Sequence, residues 1–146
     1  MEIDNLWVFD NETRIISNLN SFAIPVLNQN FENMKFQKGT TITNLKSRLT
    51  GTIFPTIYVH EMSGTEKGQT IDGQTINAVA ATYQVDVIVN TQQSDAKKML
   101  AIVASVFKRM RFEVISMPEF DSEEKIYRST ARFSRIIAAN DRLLDQ

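Results

Sequence analysis

Cysteine is missing from this chain, and that absence removes disulfides, thiolate nucleophiles and cysteine-ligated metal sites together. The fold must be held by packing and assembly, and an intracellular origin fits. Histidine occurs once, at His60, with no Ser or Cys constellation around it, so a catalytic triad has nothing to be built from. A lone strand histidine reads as a structural residue. Charge of one sign is lacking too: 16 Lys and Arg stand against 17 Asp and Glu, giving a net charge of −1. No chain-wide attraction to nucleic acid or to an anionic membrane follows, although a local basic face is compatible with that balance. Apolar runs are short, none approaching the roughly 20 residues needed to cross a bilayer. The opening residues carry no basic stretch leading into an apolar one, so no targeting address is read there. Glycines at 64, 68 and 73 are not followed by the Gly-Lys-Ser/Thr of a phosphate loop. The acids Glu119, Asp121, Glu123 and Glu124 lack the glycine and the alternating register of a calcium loop, and they read as a solvated acidic turn. No cofactor, metal site or catalytic set is expected, and the chain reads as a non-enzyme.

What is present is enough for one domain: 146 residues, 42% hydrophobic, can bury a genuine core. The segment 54–143 carries the organisation, as two strands, one helix and two strands. A single helix for four strands excludes a parallel nucleotide-binding fold, which needs a crossover helix for each strand. The expected class is α+β, a mostly antiparallel sheet of four to five strands with one long helix packed on one face and an N-terminal helix. Residues 1–53 supply that N-terminal helix and a polar connection.

In the first part, Phe9, Ile15, Ile16, Leu19, Phe22, Ala23 and Val26 fall at helical intervals. Asp10 or Asn11 is available as a cap, and Pro25 disfavours helical geometry at Ile24, so a helix is expected over 10–22. Beyond it, a short strand near 33–37 and a mobile connection through Gly39 and Gly51 are expected. From Phe54, Ile57 and Val59 alternate with Tyr58, His60 and Met62, a strand apolar on both faces. Residues 63–77, with three glycines among Thr, Gln and charges, read as a loop too long for a tight turn. In the next strand Tyr83, Val85, Val87 and Val89 share the core face, while Thr82, Gln84, Asp86 and Asn90 face water.

A helix over 94–110 follows, with Ser94 as its cap, Asp95 in the first turn and basic residues at the far end. Ala96, Met99, Leu100, Val103, Phe107 and Met110 form its apolar stripe, widened by Ile102 and Val106. Truncating Phe107 or Leu100 to Ala is expected to be severely destabilising. A strand over 112–117 ends at Pro118, which fits only a strand edge or end. The last strand places Tyr127, Ala131 and Phe133 on one face and Arg128, Thr130, Arg132 and Ser134 on the other. That cationic stripe reads in two ways: it contacts phosphates or the acids of a neighbouring subunit, or it pairs across strands with residues such as Asp86 on a solvated face. Arg135 has core-side parity, so either a bulge shifts the register after Phe133 or its guanidinium is buried and paired.

Several of these stretches, FPTIYVHEM, GQTIDGQTINAVAATYQVDVIV, KRMRFEVISMPEFD and YRSTARFSRIIAANDRL, together resemble the tail-terminator (tail-completion, head-tail joining) proteins of long-tailed bacteriophages. The similarity covers 54–143, and the first 50 residues or so take no part in it. It implies a structural virion protein at the neck end of the tail, assembled in the bacterial host cytoplasm. Such a subunit forms a homohexameric ring that caps the tail tube, ends its polymerisation and offers a docking surface to the head-tail connector or stopper protein. Genomic DNA passes transiently through the ring lumen, and no membrane is involved. By the same resemblance Gly64, Lys67, Gly68, Asp72 and Gly73 are the expected contacts with the tube or a neighbouring subunit. Arg128, Arg132 and Arg135 are the expected interface or lumen cations. Another neck or tail-tube ring protein is the alternative within this class, and a small-ligand-binding regulatory α+β domain is the alternative outside it.

Overall fold

The alternation in the two central strands decides the architecture. Val85, Val87 and Tyr83 are fully buried, as are Phe133 and Ile137 in the strand paired with theirs, so one sheet face must be covered along its length. In the computed structural model, which describes residues 6–45, 53–69, 76–123 and 126–143, two helices provide that cover. The elements are α1 (Leu6–Asn30), β1 (Ile42–Thr43), β2 (Thr56–Gln69), β3 (Ile76–Val89), α2 (Gln93–Arg109), β4 (Glu113–Glu123) and β5 (Ile126–Ala138). They form an α+β domain with a five-stranded sheet in the order β1-β2-β3-β5-β4. Only β1 runs parallel to its neighbour; the other pairings are antiparallel.

Helix α2 lies over β3 and β5 with the expected stripe: Ala96, Met99, Val103, Phe107 and Met110 are fully buried and Leu100 nearly so. Between helix and sheet the rings of Phe107 and Phe133 stack with centroids 4.3 Å apart, and Phe112 meets Phe107 edge-on at 5.2 Å. The interior of this layer is therefore filled by aromatic side chains. At the start of α2, Gln92 and not Ser94 occupies the cap position and makes no capping bond through its side chain. Thr91 instead donates to Asp95 at 2.6 Å, tying the first turn to the preceding chain.

Three expectations along the chain are corrected. Helix α1 does not stop before Pro25 but carries it inside, running on to Asn30. Ile24 and Leu27 are buried at 3% and 0% exposure, and burying two such side chains, about 2 kcal/mol each, offsets much of the helix penalty of a proline. No strand forms at 33–37; Phe36 is held by both its backbone N–H and C=O to the side chain of Asn28. A turn closes over Gly39, whose φ of +81° is the left-handed conformation that glycine adopts without penalty, and the strand of this region is Ile42–Thr43. Gly51 lies outside the described residues. Strand β4 continues through Pro118, so Glu119, Asp121 and Glu123 stand in a strand and not in a turn; Glu124 lies outside the described residues. Register shifts on either side of Ser116 accommodate the proline, and β4 is an edge strand, where a missing N–H is tolerated.

The C-terminus of α2 closes with paired backbone bonds. Phe112 N–H donates to Phe107 O at 3.0 Å and Arg111 N–H to Lys108 O at 2.9 Å, with Arg111 at φ +67°. This is a Schellman closure in which arginine occupies the position that glycine usually fills.

Candidate functional site: the open sheet face

Both helices lie on one side, so the opposite face of the sheet is left without a helix. On β5 it presents Arg128, Thr130, Arg132, Ser134 and Ile136. Their partners on β3 are Ile88, Asp86, Gln84, Thr82 and Ala80 in unbroken register. Arg128 and Arg132 are exposed, as the alternation predicts. The middle of the face is a chain of hydrogen bonds. Arg132 Nε donates to Gln84 Oε1 at 2.9 Å, Gln84 Nε2 to Asp86 Oδ2 at 3.1 Å, and Thr130 Oγ1 to Asp86 Oδ1 at 2.5 Å. Asp86 is only 4% exposed, so this part of the face is not the freely solvated surface expected. Its two carboxylate oxygens are occupied by Gln84 and Thr130, and Arg132 reaches it only through Gln84. Arg128 is fixed through its backbone, whose carbonyl accepts from Gln93 Nε2 at 3.0 Å at the start of α2.

Next to this array on β2, Tyr58 stands opposite Asp86 and His60 opposite Gln84. Their rings meet edge-to-face at 4.6 Å. Burial first, then the carboxylates of Glu12 and Asp86, push the Tyr58 hydroxyl above its ordinary value. His60 Nδ1 is buried without a hydrogen-bond partner.

Arg135 belongs elsewhere. No register shift interrupts the β3–β5 pairing, so of the two possibilities its parity left open, burial with a partner is the one realised. Its side chain is 10% exposed and pairs through Nη2 with Asp141 Oδ2, while Nη1 donates to Met110 O at 2.8 Å. Asp141 also accepts from Arg111 Nη2 at 3.1 Å and from the Leu143 N–H at 2.8 Å, and its backbone carbonyl accepts from Arg14 Nη2 at 2.5 Å. This cluster locks the C-terminal segment to α1, α2 and β5. Asp141, Arg111 and Arg14 had no signal in the sequence, since they come together only when three separate elements converge; the one clue was the wrong-facing parity of Arg135. Beside the cluster a groove of about 450 Å3 is lined by Arg111, Glu113, Ser134, Arg135 and Ile136.

The expected loop over 63–77 is mostly strand. Gly64, Lys67 and Gly68 lie in β2, and 65–69 pair with 76–80 of β3 after a bulge between Met62 and Thr65. Polar, glycine-containing composition suggested a loop, but backbone hydrogen bonding to β3 does not depend on side-chain apolarity. Asp72 and Gly73 lie outside the described residues. Because β1 pairs only with Ile57 and Tyr58, the outer side of β2 from Val59 to Gln69 has no strand partner among the described residues. The first part of that edge is held by α1: Glu12 Oε2 accepts from the Glu61 N–H at 3.4 Å while Oε1 accepts from Asn44 Nδ2 at 2.8 Å. Burial and then the nearby Glu12 charge raise the Glu61 carboxyl above its ordinary value.

Among the described residues no grouping of three His, Cys, Asp or Glu could hold a metal ion, and no helix is long and apolar enough to cross a membrane. What this surface offers chemically is exposed guanidinium groups on a rigid sheet, suited to carboxylate or phosphate groups of another molecule. No protein-family model matches the chain, and no curated protein matches it.

Proposed function

We propose that the chain is a structural virion protein, the tail terminator of a long-tailed bacteriophage: a homohexameric ring that caps the tail tube, ends its growth and receives the head-tail connector. The observation that carries this reading is the sheet face left uncovered by either helix, polar at its centre and bearing exposed Arg128 and Arg132. A surface of that kind suits a neighbouring subunit's acids or a lumen through which DNA passes without sequence-specific contact. The outer side of β2, which contains Gly64, Lys67 and Gly68 and has no strand partner there among the described residues, supports the same reading, since strand edges are ready sites for assembly. The choice of family rests on the resemblance of the stretches over 54–143 to tail-terminator proteins.

A tail-tube subunit would share these features but grow into an open polymer. A regulatory domain holding a small ligand between helix and sheet has less support, because stacked Phe107 and Phe133 and their neighbours occupy that layer. The test is the double variant Arg128→Glu, Arg132→Glu. Both side chains are exposed, so the monomer still folds, with at most the small loss in melting temperature that follows from breaking the Arg132–Gln84 hydrogen bond, while ring assembly and the joining of heads to tails are lost. Normal rings and infectious particles from this variant would refute the role assigned to the open face.

A further inference from the structure

The side of the domain that carries the helices differs in charge from the chain as a whole. No acid occurs from Thr13 to Phe31 or from Ala96 to Phe112, although the chain holds 17 Asp and Glu. Within the second stretch α2 exposes Lys97, Lys98, Lys108 and Arg109, so this surface is cationic on a protein of net charge −1.

Two of these cations mark the ends of the seam between α1 and α2. Lys98 Nζ lies 5.3 Å from the centroid of the Phe31 ring, and Arg109 Cζ lies 4.7 Å from that of Phe22. Lys98, Ile102, Ser105 and Arg109 follow one another by four, three and four residues and so form a single row on α2. The two ring contacts turn that row toward α1. Eleven residues at 1.5 Å each separate the cations by about 16 Å. Between them the seam is apolar: Phe22 and Val26 of α1 are 36% and 39% exposed, and Ile102 is only partly buried against the core. Contact with a ring positions each cationic head group without neutralising it, and neither cation forms an ion pair among the described residues. Glu32 and Asp95 are the acids flanking the Lys98 end, and Asp95 already accepts from Thr91 and Gln92.

We infer that this seam is the docking site of a second protein, presented as an amphipathic helix with two carboxylates three turns apart and apolar side chains between them. Carboxylates at that spacing reach Lys98 and Arg109, while the apolar side chains cover Val26 and Ile102. A nucleic acid is the poorer occupant, because a phosphate backbone has no apolar surface with which to cover the centre of the seam. Neither helix of a second copy fits: α1 carries only Asp10 and Glu12 and α2 only Asp95, so neither presents acids at that spacing. The seam lies on the opposite side of the sheet from Arg128 and Arg132, and it serves its partner with or without the ring assembly proposed above.

The test is an NMR titration of isotope-labelled full-length protein with a lactam-bridged helical peptide of Ala and Gln. The peptide carries two Glu eleven residues apart, with Leu between them on the same face. Saturable shifts are expected at the amides of Lys98, Ile102, Ser105 and Arg109. The double variant Lys98→Glu, Arg109→Glu should bind this peptide at least about 10-fold more weakly, since like charges then face each other. It should regain affinity for a peptide with Lys in place of both Glu. Both side chains are exposed, and circular dichroism checks that the variant is folded. Lys98→Gln with Arg109→Gln, which removes the charges without reversing them, should give a smaller loss. The absence of saturable shifts at these four residues overturns the inference, as does undiminished binding by both double variants. So does a mixed-sequence DNA duplex that shifts the same amides and displaces the peptide, which would make this a phosphate-binding surface. None of these results bears on ring assembly, which light scattering of the wild type reads separately.

Discussion

Replacing Arg135 with Met tests whether the C-terminal cluster holds the fold as its geometry indicates. Methionine preserves most of the apolar stem but leaves Asp141, 9% exposed, without its closest cation. It also removes the donor to Met110 O at the end of α2. Breaking a buried ion pair by deleting one partner costs about 3–5 kcal/mol, because the remaining charge stays desolvated. Arg111 and the Leu143 N–H still reach Asp141, so the loss lies near the lower end, about 3 kcal/mol. For a domain of this size that lowers the melting temperature by about 10 °C. With a urea m-value of about 2 kcal/mol/M it moves the midpoint by about 1.5 M. The double variant Arg135→Met, Asp141→Leu removes the stranded carboxylate and recovers part of the loss. Urea unfolding followed by circular dichroism measures all of these. A loss under about 0.5 kcal/mol, the level of an exposed ion pair, would refute the claim that this pair is buried and structural. So would a double variant whose cost equals the sum of the singles, since residues in contact should not add.

Two further outcomes follow from the fold. Pro25→Ala restores a backbone N–H for the carbonyl of Ser21 within α1 and should raise stability by about 1–3 kcal/mol in the same urea assay; an unchanged or lower midpoint would mean that the proline-bent course of the helix is needed to seat Ile24 and Leu27. Glu61 binds its proton more tightly in the folded state than its ordinary value of 4.5, so the stability tied to its protonated form is complete below that pH and is lost as pH rises through the raised folded value. Glu61→Gln should flatten the stability profile above pH 4.5 and leave it unchanged below; parallel profiles for the two proteins would contradict this.

The sequence showed most where burial is one-sided and regular. The stripe of α2, the alternation of β3 and β5 and the exposed pair Arg128 and Arg132 were all legible, because one face of each element is buried along its length. Where tertiary context overrode local preference, reading failed. Pro25 marks a helix end by its own stereochemistry, yet burial of Ile24 and Leu27 carries α1 past it. Residues 65–69 look like a loop by composition and are strand because β3 offers a backbone partner. Strand β1, with two residues, is too short to show a period, and the cap of α2 falls on Gln92, a residue with no capping preference. At the site, the alternation identified Arg135 as anomalous but could not name Asp141, since the partner comes from a turn whose position depends on the finished fold.

The most direct test of the central claim is the mass and outline of the wild-type protein, by light scattering over a concentration series with negative-stain images, alone and with purified tail tubes. The account predicts a closed annulus of six 16.6 kDa copies, formed in solution or on the tube tip, that stops further tube growth. Open tubes built by the protein itself, or a monomer that neither closes nor binds the tubes, would contradict it.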